Sequence, residues 1–392
     1  MKPRWQGGHQ LQLLENGADY FPALLQALEQ ARREIWLESY IFANDEVGRR
    51  IAAALEWAAD RGVCVRVLVD GFGGREFVAR LLPRLRSRGV QVQVYRQELA
   101  PFRFSRHRLR RLHRKLVLID GETAFIGGIN IVSDFSEPEA QAPRHDYAVC
   151  VRGPVVPVLH ASMKRVWMLV RWASLGHRLP VPSLTPPLPP DRGGIRAALA
   201  IRDNLRHRRD IESAYLRAIG RARREILIAN AYFFPGRRFR KALLAAAARG
   251  VRVTLLVQGQ AADHPLLQWA TRALYGPFLA AGIRVFEYQR SHLHAKVAVV
   301  DGRWSTVGSS NIDPFSLLLA REANLLVLDR GFGGQLRARL ERAIQDGAQA
   351  ILPQPGGAGL PRRLLSWLAY GAVRLLIGLA GYGRQHEQGR RG

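Results

Sequence analysis

The hydrophobic and polar positions of the chain fall into two kinds of segment. Short continuous apolar runs that end in turn residues predict buried strands, and longer segments with apolar residues at helical spacing predict helices. In the first half, strands are predicted over 11–14, 35–42, 63–69, 90–95 and 116–119. Helices are predicted over 19–33, 47–61, 155–175 and 76–88, the last kinked or divided at Pro83. This alternation favours an α/β fold with mixed sheets flanked by helices.

The second half of the chain repeats the first. The segments 31–35 and 61–63 recur with the same sequence at 222–226 and 249–251. This duplication predicts two homologous lobes, 1–175 and 196–350, joined by a Pro-rich linker over 176–195 and followed by a C-terminal segment over 351–392. Two such lobes can each contribute one copy of a motif to a single site at their interface.

One motif occurs in both halves with the same spacing. It consists of His, then Lys, Asp and Asn, and its two copies are His113, Lys115, Asp120 and Asn130, and His294, Lys296, Asp301 and Asn311. Alternate residues of a strand share a face, so the His and Lys of each copy are predicted to point the same way. An ammonium group repels a divalent cation but attracts a phosphate. The motif therefore predicts a phosphate site, with no metal and no cofactor.

Two histidines and two lysines around one phosphodiester predict nucleophilic catalysis. One neutral imidazole attacks phosphorus and forms a phosphohistidine, and the other, protonated, donates to the departing alcohol. The two lysines and two asparagines are predicted to neutralise the charge that develops on the phosphate oxygens. The residues alone do not decide which histidine takes which role.

The sequence resembles the phospholipase D superfamily in both halves, from about residue 11 to residue 329. Within it, the chain resembles the bacterial cardiolipin synthases, in particular their shorter B type, through Leu-Leu-Glu-Asn-Gly at 13–17, Ala-Asn-Ala-Tyr-Phe-Phe-Pro-Gly at 229–236 and Val-Gly-Ser-Ser-Asn-Ile-Asp-Pro at 307–314. The resemblance implies two phospholipase D-like lobes with the active site at their interface. It also implies that His113 is the nucleophile and His294 the general acid and base.

Each histidine is expected to need a carboxylate that orients it. Asp146 and Glu322 lie on the strand predicted after each motif, and the resemblance favours Glu322 over Asp146 for this role. Asp120 and Asp301 are grouped with the catalytic residues of the motif. They stand before Gly at strand ends, where bracing a loop or groups of the opposite lobe is favoured over proton transfer.

The first copy of the motif has Gly128 where the second has Ser309. A Ser hydroxyl can donate a hydrogen bond to a phosphate, and a Gly has no such group. The first half-site is therefore expected to lack one phosphate donor that the second possesses.

The resemblance also implies the reaction. A cardiolipin synthase of this type transfers a phosphatidyl group to phosphatidylglycerol, forming cardiolipin and releasing a small alcohol such as glycerol. Phosphatidylethanolamine is a second candidate substrate, and no nucleic acid is expected. The alternatives are a phospholipase D that uses water as acceptor, a phosphodiesterase or nuclease of the same superfamily, and a membrane-binding protein without activity. The oligomeric state is left open.

The composition adds a preference for an anionic partner. The formal net charge is +27, which favours polyanions such as nucleic acid or an anionic membrane surface. Basic clusters lie over 103–115 and 202–209, and the first, which runs into the motif, is either a solvated face or a contact for substrate or membrane. The segment 364–380 is apolar with an interrupting Arg374, which favours an interfacial helix over a spanning one, with packing against the second lobe as the alternative. No secretory leader is recognised. The protein is expected on the cytoplasmic side of the cell membrane as a peripheral protein, with Cys64 and Cys150 as buried free thiols.

Overall fold

The computed structural model describes residues 3–96, 111–136, 142–175, 193–203, 207–259, 270–313 and 320–352, together with Leu368 and Gly371. Most of the predicted Pro-rich linker lies outside these residues. The same holds for the basic run before Arg111 and for nearly all of the predicted interfacial helix over 364–380, so these remain predictions.

The described strands and helices follow the predicted alternation in both halves. The strands are β1 (Gln6–Glu15), β2 (Glu34–Ser39), β3 (Cys64–Asp70), β4 (Gln91–Tyr95), β5 (Arg111–Leu112), β6 (Leu116–Ile119), β7 (Thr123–Gly127), β8 (Tyr147–Arg152), β9 (Ile195–Arg202), β10 (Glu225–Asn230), β11 (Arg252–Gln258), β12 (Arg284–Tyr288), β13 (Lys296–Val300), β14 (Trp304–Gly308), β15 (Ala320–Leu328) and β16 (Ala348–Ala350). The helices are α1 (Asn16–Gln30), α2 (Glu46–Asp60), α3 (Leu82–Ser87), α4 (Val155–Leu175), α5 (Asp210–Arg221), α6 (Arg237–Ala248), α7 (Tyr275–Ala280) and α8 (Arg330–Gly347).

The strands form one mixed sheet in which the two halves are related by internal symmetry. From β4 inward the order is β3, β2, β6, β7, β8 and β1, and from β12 inward it is β11, β10, β13, β14, β15 and β9. The halves join where β1 pairs antiparallel with β9. The predicted fold class, two related α/β lobes, is therefore confirmed, with the lobes sharing a continuous sheet.

The strand directions place each motif at the carboxyl ends of the parallel strands in its own half. In the first half β2, β3 and β4 are parallel, and β6 runs antiparallel to β2 with Leu116 opposite Glu38. In the second half β13 runs antiparallel to β10 with Lys296 opposite Asn230. The residues just before β6 and β13 thus lie at the carboxyl ends of the parallel strands of their own half, and we call these ends the motif end of the sheet.

The core has one shared layer and two separate ones. The α4 and α8 side chains pack with residues of both halves on one face of the sheet. On the other face, each half packs its own helices in a separate apolar cluster. Because the shared layer crosses the boundary between the lobes, burial of its apolar area stabilises their relative position.

Two local features differ from the predicted elements. The first strand covers 6–15 instead of 11–14. The segment predicted as one helix over 76–88 is a π-helical turn, Phe77–Leu81, followed by α3, with Pro83 in the first turn of α3. A proline is accommodated there because the first N–H groups of a helix have no intrahelical acceptor.

Helix α4 has the predicted bounds and packs inward. Trp167 is buried and contacts Trp36 edge-on, with ring centroids 5.8 Å apart, so its prediction as a residue that packs against its own lobe is confirmed. Within the described residues, no helix combines the length and apolarity that crossing a bilayer requires. Cys64 and Cys150 are free thiols as predicted but are only partly buried.

Candidate active site

Each motif is hydrogen-bonded to the backbone of a segment in the other half. In the first half, β5 pairs parallel with β15, and the His113 N–H donates to the Arg321 carbonyl over 3.0 Å. In the second half, His145 bridges parallel to Leu293, and the His294 N–H donates to the His145 carbonyl over 2.8 Å. The two histidine backbones therefore occupy equivalent places on either side of the lobe boundary.

The imidazoles meet carboxylates from the opposite half. Nδ1 of His113 lies 3.0 and 3.1 Å from the two Glu322 oxygens, and Nδ1 of His294 lies 2.6 Å from Asp146 Oδ2. Both predicted orienting carboxylates thus contact a histidine. Each carboxylate contacts one histidine, so these contacts give Glu322 no preference over Asp146. The crossing arises because the residue before each carboxylate pairs with the other motif.

The hydrogen bonds of His113 identify its tautomer. Nδ1 faces the carbonyl oxygen of Ser309 at 3.1 Å as well as the Glu322 carboxylate. All these partners accept hydrogen bonds and none can donate one, so Nδ1 must carry the hydrogen. The neutral imidazole therefore has its lone pair on Nε2, as a nucleophile at this position requires.

The two lysines are buried beside the histidines. Nζ of Lys115 donates to the His113 carbonyl over 2.8 Å, and Nζ of Lys296 donates to the His294 carbonyl. Nζ of Lys296 also lies 3.6 Å from Asp146 Oδ2. The predicted strand alternation applies only in part, because His113 and Lys115 precede β6. Their proximity comes from the lysine folding back to the histidine carbonyl.

Burial and neighbouring charge shift the pKa values of this cluster. Burial raises the pKa of Asp146 to about 6, with Lys296 opposing the shift, and lowers the pKa of Lys296 to about 8, with Asp146 opposing. The pKa of His113 is lowered, because the effect of burial exceeds the opposing effect of the Glu322 carboxylate. The pKa of His294 is well below its usual value through burial and the charge of Lys296. In the absence of substrate, these shifts favour the neutral form of both imidazoles.

Gly128 and Ser309 both interact with the orienting carboxylates, a role that the sequence analysis did not predict. The Ser309 hydroxyl donates to Glu322 Oε2 over 2.5 Å and accepts from the Ala323 N–H, so it orients the carboxylate. A Cβ at Gly128 would lie 2.3 Å from Asp146 Oδ1. Gly128 therefore makes room for the Asp146 carboxylate, and the expected difference in phosphate donors between the two half-sites remains a prediction.

The two asparagines are buried at the motif end. Asn130 Oδ1 accepts the Ile41 N–H over 3.2 Å, which leaves its amide nitrogen as the group that could donate to a ligand. Asn311 is 4% exposed, and its Oδ1 is buried without a hydrogen-bond partner. Their phosphate contacts remain a prediction. In the described part of the chain, no group of three or more His, Cys, Asp or Glu side chains could hold a metal ion.

Comparison with known proteins identifies the family. The sequence profile described as "Cardiolipin synthase, PLD-like domain" matches residues 24–137 and 215–344. The chain belongs to the phospholipase D-like family of cardiolipin synthases.

The chain is 41% identical over 360 residues to cardiolipin synthase B of Escherichia coli K12, covering 90% of this chain and 84% of the relative. It is 33% identical over 348 residues to cardiolipin synthase A of Pseudomonas putida W619, covering 88% of this chain and 70% of the relative. The crystal structure of phosphatidylserine synthase from Haemophilus influenzae Rd KW20 has the same fold, with a TM-score of 0.69 at 14% identity over 94% of this chain and 95% of that chain.

Two motif residues of this family member lie outside the cluster. The Asp120 carboxylate accepts the N–H groups of Arg32, Arg33 and Glu34, and Asp301 does the same for residues 223–225. Both aspartates have left-handed backbone angles, at φ 55° and 53°. These contacts are those expected of loop-bracing residues, and a catalytic contribution of either aspartate remains a prediction to be tested.

Loss of the Asp120 carboxylate is expected to reduce stability and to leave the chemistry intact. Asp120→Ala removes three hydrogen bonds to backbone groups and places alanine at a positive φ, so the free energy of unfolding should fall by about 1–3 kcal/mol. Denaturant unfolding measures this loss, and kcat/KM per folded molecule should stay within about twofold. A large fall in kcat/KM at normal stability would place Asp120 in the catalytic set.

A buried ion pair that the sequence analysis missed connects the first motif to β2 and α4. Arg114 donates from Nε and Nη2 to Glu38 over 2.7 and 2.6 Å and from Nη1 to the Ser162 hydroxyl on α4 over 2.7 Å. Arg114 is therefore engaged in an internal ion pair. Its place in a run of arginines had instead suggested a basic cluster that faces the substrate. The second half has Ala295 and Ala229 at the corresponding positions, so comparing the halves would have shown that both charged residues are particular to the first half.

Tyr40 is a second residue that the sequence analysis missed. Its ring stands edge-on to His113 with centroids 5.1 Å apart, and Nζ of Lys115 lies 5.3 Å from its centroid. Tyr40 directly follows β2 at the motif end. It limits the space around the His113 ring and gives the Lys115 charge an aromatic face.

Proposed function

We propose that the protein is a phosphatidyltransferase that makes cardiolipin by a two-step reaction through a phosphohistidine. The observation that carries the proposal is the crossed pairing of His113 with Glu322 and of His294 with Asp146. Each pair presents one imidazole Nε2, and the two buried lysines supply positive charge for one phosphate. The similarity to named cardiolipin synthases supports a phospholipid substrate.

In the first step, His113 acts as the nucleophile. Its Nε2 lone pair attacks the phosphorus of the donor lipid, forming a P–N bond while the P–O bond to the headgroup alcohol breaks. The imidazolium of His294 gives its Nε2 proton to the departing oxygen, so the alcohol leaves neutral. The anionic phosphodiester of the bound donor favours the protonated form of His294, and Asp146 supports its positive charge.

In the second step, the neutral His294 takes the proton from a glycerol hydroxyl of phosphatidylglycerol. That oxygen attacks phosphorus, and the P–N bond breaks to restore His113 and release cardiolipin. Lys115 and Lys296, with the amide groups of Asn130 and Asn311, would stabilise the negative oxygens in both steps. No metal ion takes part in this scheme.

The proposed substrates are phosphatidylglycerol as acceptor and either phosphatidylglycerol or phosphatidylethanolamine as donor. Glycerol or ethanolamine is then the released alcohol. Exclusion of water from the site favours transfer over hydrolysis, and the buried lysines, of which Lys296 has no exposed surface, are consistent with a dry site. We propose a peripheral location on the cytoplasmic face of the cell membrane, where lipid headgroups reach the motif end.

Lipid mass spectrometry tests the proposed function. Purified protein is incubated with phosphatidylglycerol vesicles, with and without phosphatidylethanolamine, in the presence of a chelator. Cardiolipin is expected in both mixtures, and isotopically labelled phosphatidylethanolamine shows whether that lipid is a donor. Phosphatidic acid without cardiolipin would instead assign the protein to the hydrolases, and the absence of any lipid product would contradict the proposal.

The pH dependence of kcat/KM is expected to be bell-shaped. Asp146 becomes protonated as the pH falls through about 6 and then no longer holds the imidazolium of His294. Lys296 loses its charge as the pH rises through about 8 and then no longer stabilises the phosphate. A pH profile should therefore have limbs near these values. Asp146→Asn should displace the acid limb, and an unchanged limb in this variant would assign the limb to another group.

A further inference from the structure

Two of the large apolar side chains that the described residues expose stand on loops at the motif end of the sheet. Phe72 follows β3 and is 43% exposed, and Phe135 stands shortly after Asn130 and is 57% exposed. Single exposed apolar residues are common on protein surfaces. Phe72 and Phe135 differ from such residues because they lie beside the active site and have arginines next to them.

The Phe72 loop is attached directly to the first half-site. Asp70 accepts the N–H of Phe72 over 2.9 Å and the N–H of Leu112, the residue before His113, over 2.8 Å. The next residue, Gly73, packs so closely on the Tyr40 carbonyl that a Cβ there would lie 2.5 Å from its oxygen. Phe72 is thereby tied to Leu112 and Tyr40, the residues next to His113 in sequence and in space.

Two guanidinium groups stack on the exposed Phe72 ring. The Arg75 and Arg111 guanidinium carbons lie 4.4 and 4.7 Å from its centroid. Such contacts between a cation and an aromatic face are favourable, but two like charges on one ring also repel each other. This combination of an apolar ring with flanking cations matches the boundary between anionic headgroups and acyl chains.

The turn around Phe135 also places an arginine near an exposed aromatic ring. The Phe135 N–H donates to the Ser133 hydroxyl over 3.2 Å, and the Arg144 N–H donates to the Asp134 carbonyl over 3.0 Å. Arg144 also contacts the Ser136 hydroxyl, and its charge contributes to lowering the pKa of His294. A second exposed ring with a nearby arginine therefore stands at the motif end.

We propose that Phe72 and Phe135, with Arg75, Arg111 and Arg144, form a docking surface for an anionic lipid bilayer. The rings enter the headgroup region, and the arginines bind lipid phosphates, which brings the motif end against the membrane. The proposal rests on the proposed function for the identity of the substrate, and the docking itself is measurable without turnover. The net charge of +27 is complementary to such a bilayer.

A bilayer is favoured over nucleic acid by the exposed rings. An anionic membrane surface attracts each nearby arginine and accepts an inserted apolar ring. A double helix offers the same charge but presents a phosphate backbone against which an exposed phenyl ring remains hydrated. Binding to DNA is therefore a separate outcome of the test.

The chain contains a matched control for this surface. Trp57 is 51% exposed, and the Arg61 guanidinium lies 3.7 Å from its ring centroid, so it has the same exposed ring and stacked cation. It stands near the end of α2 that leads into the start of β3, about 16 Å along the helix axis from Glu46. That end of α2 faces away from the motif end of the sheet.

Vesicle flotation tests the proposal in the inactive His113→Ala background, which prevents lipid turnover. The partition onto phosphatidylglycerol/phosphatidylcholine vesicles is compared for the parent, Phe72→Ser/Phe135→Ser and Trp57→Ser. The double variant is expected to lose about tenfold or more and Trp57→Ser less than about twofold. In the active background, the double variant should lose at least about fivefold more turnover on vesicles than on short-chain monomeric phosphatidylglycerol.

Several results would overturn the docking surface. Wild-type partition of the double variant would place membrane contact elsewhere, and an equal loss in Trp57→Ser would show a general effect of surface aromatics. A loss of DNA binding as large as the loss of vesicle binding would make the patch a surface for polyanions in general. If the active protein makes no cardiolipin, the proposed function fails, and the flotation result still decides the docking surface.

Discussion

His113→Ala and His294→Ala are each expected to reduce cardiolipin formation from natural lipids by about 10⁴-fold or more. The first removes the atom that forms the P–N bond, and the second removes the proton donor for the departing alcohol. Both side chains lie in the buried cluster, and each imidazole meets one carboxylate of the other half. Steady-state assays on phosphatidylglycerol vesicles measure the loss.

The control for this prediction is His207→Ala. His207 pairs with Asp210 at the start of α5, outside the cluster, so its loss should change activity by less than about twofold. Retention of most activity by either His113→Ala or His294→Ala would exclude the proposed mechanism. Circular dichroism confirms that each inactive variant is folded.

An activated donor should separate the two histidines. The p-nitrophenyl ester of phosphatidic acid has a leaving group that departs without protonation. His294→Ala should therefore release about one equivalent of p-nitrophenolate rapidly and then stall. His113→Ala should release none, and the opposite pattern would exchange the two roles.

The second large effect is expected from the crossed carboxylates. Glu322→Gln and Asp146→Asn should each lower kcat by about 10²–10⁴-fold, because an amide can present its NH₂ group to Nδ1 and turn the imidazole into the wrong tautomer. Glu322→Gln should slow the burst with the activated donor, since it acts on His113. Asp146→Asn should leave that burst nearly normal and slow turnover on natural donors.

An exposed carboxylate provides the control for this pair. Asp19→Asn alters an exposed acid that contacts Arg339 and should change kcat by less than about twofold. If Glu322→Gln slowed only the protonation step, or Asp146→Asn only the burst, the crossed assignment would be contradicted.

Much of the site was predictable because its residues are close in sequence and repeated. His113 and Lys115 stand two positions apart, and a second copy with the same spacing makes chance improbable. The α/β alternation and the bounds of α4 and β6 followed from apolar periodicity. The two candidate orienting carboxylates were also found, because each follows its motif at a similar distance.

The features that were missed depend on contacts between the halves or between distant segments. The pairing of His145 with Leu293 takes Asp146 across to His294, and no local pattern indicates which lobe a carboxylate will face. Arg114 looked like part of a basic run, since its ion pair with Glu38 joins residues far apart in sequence. Gly128 could not be explained without the Asp146 carboxylate that occupies the adjacent space.

Peptide mass spectrometry of a trapped intermediate tests the central claim most directly. His294→Ala is mixed with the activated donor, quenched at alkaline pH and digested with trypsin, which separates 112–114, containing His113, from 291–296, containing His292 and Ala at position 294. A phosphatidyl adduct on His113 is expected. An adduct in 291–296, or active enzyme that forms cardiolipin without any histidine adduct, would contradict it.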